Sequence, residues 1–138
     1  MAKVFTTTQL RDALGEDSFR QLRDEFLDWL QVGEYEHITF GKDSAFRTPR
    51  LAVDEELRHV HLIPIFDEAA RDQWLLRYQR RSRKTSSRIL VYTRGYYDPE
   101  KYLLIDILDE PDGHDLMCQD PQLINALAEL AERFRQQY

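Results

Sequence analysis

The feature that most constrains the fold of this chain is a pair of strand-like segments joined by a turn. Residues 89–93 and 102–108 are rich in β-branched, aromatic and leucine side chains, which are typical of strands. The short connection between them contains Asp98 and Pro99, which favour a turn. Two strands joined in this way predict an antiparallel hairpin. Arg88, Tyr92 and Arg94 should then share one face of it, opposite Ile89.

Three further segments predict helices. The first begins near Asp17 and ends at Gly33, which suits a helix C-terminus. The second covers residues 67–81 with Asp67 as its N-cap, and the last begins at Asp120 with a proline in its first turn. Their apolar stripes, at helical spacing, are Phe19, Leu22, Phe26 and Trp29; Ala70, Trp74 and Tyr78; and Leu123, Leu127, Leu130 and Phe134. Each stripe predicts a face packed on a core.

The remaining segments complete an α+β pattern. Residues 3–8 and 58–65 predict two more strands, and residues 41–49 predict a loop because they hold turn residues and end in proline. This order predicts a single α+β domain, residues 1–138, with a small, mainly antiparallel sheet. We expect helices on one face of the sheet and the other face left open for binding.

Composition narrows the class of protein. Cys118 is the only cysteine, so no internal disulfide can form, as expected in a reducing compartment. No apolar run is long enough to span a membrane, and the first residues do not form a signal peptide. We therefore expect a cytoplasmic protein without a membrane partner. Walker, dinucleotide-binding, nucleophile-elbow and C-x-x-C motifs are absent, so the sequence predicts no cofactor.

The charge is unevenly distributed. The net charge is −6, which alone disfavours a polyanionic partner, yet residues 73–97 contain no Asp or Glu. This stretch predicts a local cationic patch suited to phosphate groups, whereas a solvated helix end would explain only part of it. The candidate contacts to RNA or ribosome are Arg77, Arg80, Arg81, Lys84, Arg88 and Arg94, with Tyr92 as a candidate for base stacking.

Two histidines stand out because they alternate along one predicted strand. His59 and His61 should point to the same face, with Val60 and Leu62 on the other. Imidazole titrates near neutral pH, so the pair suits proton transfer to and from a ribose phosphate. The alternatives are a structural histidine on a polar strand face, or a metal site completed by His114 or an aspartate. Spacing alone leaves all three open.

Seven short motifs are spread over nearly the whole chain: F-G-K-D at 40–43, H-V-H-L at 59–62, Ser82-Arg83 with Thr85-Ser86, L-V-Y at 90–92, Y-L-L-I-D-I-L at 102–108, His114, and A-E-R-F-R at 131–135. In this combination and order the chain resembles the YafO family of bacterial type II toxins. It implies a RelE/ParE-like fold and a ribosome-dependent mRNA interferase held inactive by a cognate antitoxin. In this superfamily, cleavage is metal-free and proceeds by attack of the 2′-hydroxyl.

By position, the resemblance makes His59 and His61 the candidate general base and acid. Arg83 is the candidate for stabilising the phosphorane, and His114 is a further candidate participant. Two features depart from the family pattern: Ser87 stands where an acid or amide is usual, and the chain is more acidic than typical ribosome-binding toxins. The rival hypothesis is a non-catalytic, toxin-like module that inhibits gyrase or the ribosome by occupying it.

Overall fold

The structure, a computed structural model, describes residues 1–138. Its elements in chain order are β1 (Lys3–Thr6), α1 (Thr8–Leu14), α2 (Glu16–Val32), β2 (Phe40–Ala45), α3 (Arg50–Asp54), β3 (Arg58–Leu62), α4 (Glu68–Gln79), β4 (Ile89–Arg94), β5 (Lys101–Leu108), α5 (Gly113–Gln119) and α6 (Pro121–Gln137). None of the helices combines the length and apolar character that crossing a bilayer requires.

The five strands form one sheet in the order β1-β5-β4-β3-β2. Every neighbouring pair is antiparallel except β1 and β5, which run parallel. The hairpin of β4 and β5 is confirmed and lies at the centre of the sheet. The α+β class and the mainly antiparallel sheet are therefore confirmed, and the architecture is consistent with the RelE-like fold that the resemblance implies.

Helices cover both faces of this sheet, not the single face expected from the sequence. In β4, Ile89 and Val91 join a core with α3 and α6, whereas Leu90 and Tyr92 join a second core with α1 and α2. The physical reason is that β4 is apolar on both sides, and an apolar sheet face is stable only when another element covers it.

The main helix limits follow the sequence signals. Gly33 ends α2 at a φ of 85°, a conformation that glycine adopts at little cost. Asp67 and Asp120 cap α4 and α6, accepting hydrogen bonds from Ala70 N (3.0 Å) and Leu123 N (3.0 Å). These three predicted boundaries are confirmed.

The main error lies at residues 41–49, because the predicted loop contains most of β2. This strand has few apolar residues. It forms because its backbone pairs with β3, with Ala45 opposite Arg58 at one end and Phe40 opposite Leu62 at the other. Strand β1 also ends earlier than predicted, because Thr7 caps the short helix α1. Helices α1, α3 and α5 are too short to leave a clear periodic pattern.

Candidate active site

The two histidines of β3 point to the same face of the sheet, as the alternation predicts. This is the face covered by α3 and α6, since the His59 ring meets the edge of Phe46 at 5.1 Å between centroids. The His59 and His61 rings lie 5.8 Å apart, and the His114 ring stacks on His61 at 5.6 Å with an interplanar angle of 23°. Three histidines therefore lie in a row, with His61 in the middle.

Burial keeps both β3 histidines neutral. His59 and His61 are only 7% and 4% exposed. Desolvation, aided for His59 by the neighbouring His61, lowers the pKa of each imidazole to about 4. At neutral pH both rings are therefore uncharged. They differ in contacts, because His59 Nδ1 is buried without a hydrogen-bond partner, whereas His61 Nδ1 is bonded.

Ser86 fixes the His61 ring. Nδ1 of His61 lies 2.8 Å from the Ser86 carbonyl oxygen and 2.9 Å from the Ser86 backbone nitrogen. One tautomer donates to the carbonyl and leaves Nε2 as an acceptor, whereas the other accepts from the N–H and leaves Nε2 as a donor. The Ser86 hydroxyl, which has one hydrogen to donate, lies within hydrogen-bonding distance of the carbonyl oxygens of Leu62 (2.6 Å) and Arg88 (2.9 Å). Ser86 thus ties His61 to the ends of two strands.

His114 reaches His61 because α5 packs closely against the sheet. Gly113, the first residue of α5, is buried, and a Cβ there would overlap the backbone carbonyl oxygens of Leu108 and Ser87. Only glycine allows this approach, which brings the next residue, half-buried His114, onto the His61 ring.

His61 and His114 open onto a cavity of 580 Å³, here called the histidine cavity. It is lined by Lys42, His61, Ala70, Gln73, Arg77, Thr85, Ser86, Ser87, His114 and Asp115. His59 is not part of this lining and lies behind His61. No group of three or more His, Cys, Asp or Glu side chains is arranged to hold a metal ion.

Two cations face this cavity. The Arg77 guanidinium donates to Thr85 Oγ1 at 3.0 Å and forms no ion pair. Lys42 comes from a β-bulge, in which Gly41 and Lys42 together oppose the single residue His61. Bulges of this kind often re-aim a side chain beside a functional site. Lys42 lies in the predicted loop, so only the pairing of β2 with β3 reveals its position.

The predicted cationic patch is partly neutralised by acids from the segment between α2 and β2. Arg83 Nε pairs with Glu34 Oε1 at 3.0 Å, and Arg81 pairs with Glu36. Arg83 does not line the histidine cavity, where Arg77 lies instead. Absence of acids from one stretch of sequence therefore does not leave its arginines unpaired, because the fold brings acids from elsewhere.

Other predicted contacts lie away from the cavity. Lys84 is 2% exposed, its Nζ donates to the Glu34 carbonyl, and it lies over the Trp74 ring, so it is a buried structural residue. Tyr92 is 4% exposed and its hydroxyl donates to Asp43 at 2.7 Å, so it cannot stack on a base.

The last three predicted contacts are also separated from the cavity. Arg88 and Arg94 alternate with Ile89 and Val91 along the chain, so they belong to the face of the sheet opposite the histidines. Arg88 Nε lies 3.2 Å from Asp109 Oδ1. Arg80 is exposed at the end of α4.

Comparison with known proteins identifies the family. Residues 27–136 match the family model described as toxin YafO of a type II toxin–antitoxin system. The chain is 27% identical over 139 residues to the mRNA interferase toxin YafO of Escherichia coli (strain K12), with 99% of each chain covered. No solved structure matches it significantly. The matched region contains the whole histidine cavity, and the chain belongs to the YafO family of type II toxins.

Proposed function

We propose that this toxin is an endoribonuclease that cleaves mRNA during translation. The observation that carries the proposal is the stacked pair of His61 and His114 at a cavity that also holds Lys42 and Arg77. Two imidazoles can move the two protons of RNA cleavage, and two cations can hold the phosphate between them. The relative's name, mRNA interferase toxin, agrees with this chemistry.

In the proposed reaction, His61 takes the proton from the ribose 2′-hydroxyl. The 2′-oxygen then bonds to phosphorus while the bond from phosphorus to the 5′-oxygen breaks, and His114 gives its proton to that 5′-oxygen. The products are a 2′,3′-cyclic phosphate and a free 5′-hydroxyl, and none of the proposed steps involves a metal ion. His61 suits the role of base because it is uncharged, and donation of Nδ1–H to Ser86 leaves Nε2 free to accept.

Substrate binding should make His61 a better base. A pKa of about 4 makes the imidazole only weakly basic in the free protein. A phosphate entering the cavity adds negative charge beside the ring, which raises its pKa towards the working pH. Arg77 and Lys42 would neutralise the rest of that charge and stabilise the phosphorane. His59, behind His61, is proposed as a positioning residue.

Partners follow from the family and from the exposed surface. A type II toxin has a cognate antitoxin, which we propose blocks the histidine cavity. We further propose that the exposed arginines Arg80, Arg81 and Arg83 contact ribosomal RNA in the cytoplasm, where mRNA is translated. Two of them are already paired with glutamates, so their contribution should be smaller than that of free guanidinium groups.

Expression in a bacterial host tests the activity. We expect the parent protein to stop growth and to produce new 5′ ends on cellular mRNA, and His61→Ala to abolish both. His37→Gln is the matched control, because His37 is another buried histidine that accepts a backbone hydrogen bond from Phe40 N (3.1 Å) away from the cavity. Growth arrest without new 5′ ends would support the rival hypothesis, inhibition by occupancy.

A modified substrate tests the assignment of base and acid. Replacing the scissile 5′-oxygen by sulfur gives a leaving group that needs no protonation. On ribosomes programmed with such an mRNA, His114→Ala should regain most of the parent rate, whereas His61→Ala should stay inactive. Rescue of His61→Ala instead would reverse the two roles, and rescue of neither would remove His114 from the chemistry.

A further inference from the structure

A second cavity adjoins the histidine cavity. It has a volume of 660 Å³, within the range of ~300–1,000 Å³ typical of small-ligand sites. Ala70 and Ser87 line both cavities, so the two lie side by side. The remaining lining comes from Pro64, Phe66, Asp67, Glu68, Ala69, Glu110 and Pro111, and we call it the Phe66 cavity.

Phe66 is unusually exposed for a phenylalanine. It is 74% exposed and comes from the connection between β3 and α4. The backbone that carries it is fixed, because the Glu110 carboxylate accepts hydrogen bonds from the N–H groups of Phe66 (3.1 Å) and Asp67 (3.0 Å). The protein therefore holds an aromatic ring in solvent at the rim of a cavity, on a backbone that needs no ordering when a ligand binds.

The two cavities differ in charge. The histidine cavity holds two cations, Lys42 and Arg77, which attract a phosphate, and one acid, Asp115. The Phe66 cavity holds Asp67, Glu68 and Glu110 and no cation. Carboxylates repel a phosphate but tolerate an uncharged nucleobase, whose ring can lie against an aromatic face.

We propose that Phe66 stacks on the nucleobase next to the scissile phosphate, so that the Phe66 cavity is a base subsite of the mRNA. The proposal rests on the proposed function. With the phosphate held between Lys42 and Arg77, the neighbouring nucleoside enters past Ala70 and Ser87 and meets the Phe66 ring. Stacking accepts every base and positions the strand for in-line attack.

The test is the cleavage rate on ribosomes programmed with a defined mRNA, with purified toxin in excess over the ribosomes but below the concentration that saturates them. Phe66→Ala should lower the rate at subsaturating toxin by roughly 5- to 150-fold, as expected when one aromatic–base stack is lost. Phe66→Trp should retain the parent rate, because tryptophan also stacks. Tyr97→Ala is the matched control, since Tyr97 is 75% exposed but lies on the turn between β4 and β5, and it should cleave like the parent.

Three results would overturn the inference. Phe66→Ala could cleave as fast as the parent, or Phe66→Leu could restore the full rate, which would indicate an aliphatic contact with a protein. Alternatively, Phe66→Ala could weaken only antitoxin binding, which would make Phe66 an antitoxin contact. Failure of the proposed function itself is distinguishable, because then the parent protein would not cleave the mRNA at all.

Discussion

Acidification should destabilise this protein through His59, and the effect can be isolated by one substitution. Burial and the adjacent His61 lower the pKa of His59 from 6.5 to about 4. Between these two pH values the unfolded chain binds a proton that the folded chain does not bind. The free energy of unfolding therefore falls as the pH is lowered from about 6.5 towards 4, and it levels off below the folded pKa.

The magnitude follows from the size of that shift. A pH of about 5 lies roughly one and a half units below the pKa of the unfolded histidine, and each unit corresponds to ~1.36 kcal/mol. His59 should therefore contribute a loss of about 2 kcal/mol at pH 5, rising to ~3 kcal/mol near pH 4. Such losses are a large share of the ~5–15 kcal/mol that stabilises a typical domain.

Urea unfolding at a series of pH values measures this contribution. His59→Phe keeps an aromatic ring beside Phe46 but cannot bind a proton. Its free energy of unfolding should therefore fall by about 2 kcal/mol less than that of the parent between pH 7 and pH 5. His61, whose pKa is also about 4, and the carboxylates elsewhere titrate alike in both proteins, so their contributions cancel. A parallel pH dependence in the two proteins would refute the reasoning, since it would mean that folded His59 binds its proton as readily as the unfolded residue.

Further substitutions test how the site is built. Gly113→Ala should lower the cleavage rate by ~100-fold, because its Cβ would push α5 outward and move His114 away from His61. A loss of rate no larger than the loss of folded protein would contradict this role. Lys84→Met should lower the free energy of unfolding by ~1–3 kcal/mol in urea titrations while leaving the affinity for RNA unchanged, because Lys84 is buried against protein. Tyr92→Phe should cost ~1–3 kcal/mol through the lost hydrogen bond to Asp43, and a selective loss of cleavage would show instead that Tyr92 acts in the site.

Much of the local structure could be predicted from the sequence because its causes are local. The caps Asp67 and Asp120, the helix end at Gly33 and the central hairpin all depend on residues close together in the chain, and all are confirmed. The alternation that places His59 and His61 on one face is also local, since successive side chains of any strand point to opposite faces.

The composition of the site depended on contacts between residues far apart in the chain. Strand β2 forms because it pairs with β3, and only that pairing brings Lys42 opposite His61. Glu34 and Arg83 are likewise distant in sequence, so no local pattern shows that one neutralises the other.

By itself, the sequence determined the α+β class, the strand carrying the two histidines and the resemblance to a toxin family. Only the tertiary structure decided which histidine faces a cavity. His59 and His61 have equivalent positions in the strand pattern, yet His59 packs beside Phe46 whereas His61 meets Ser86 and His114 at the cavity. The physical reason is that a strand's alternation sets the direction of a side chain, whereas its burial and partners depend on which other elements pack over that face.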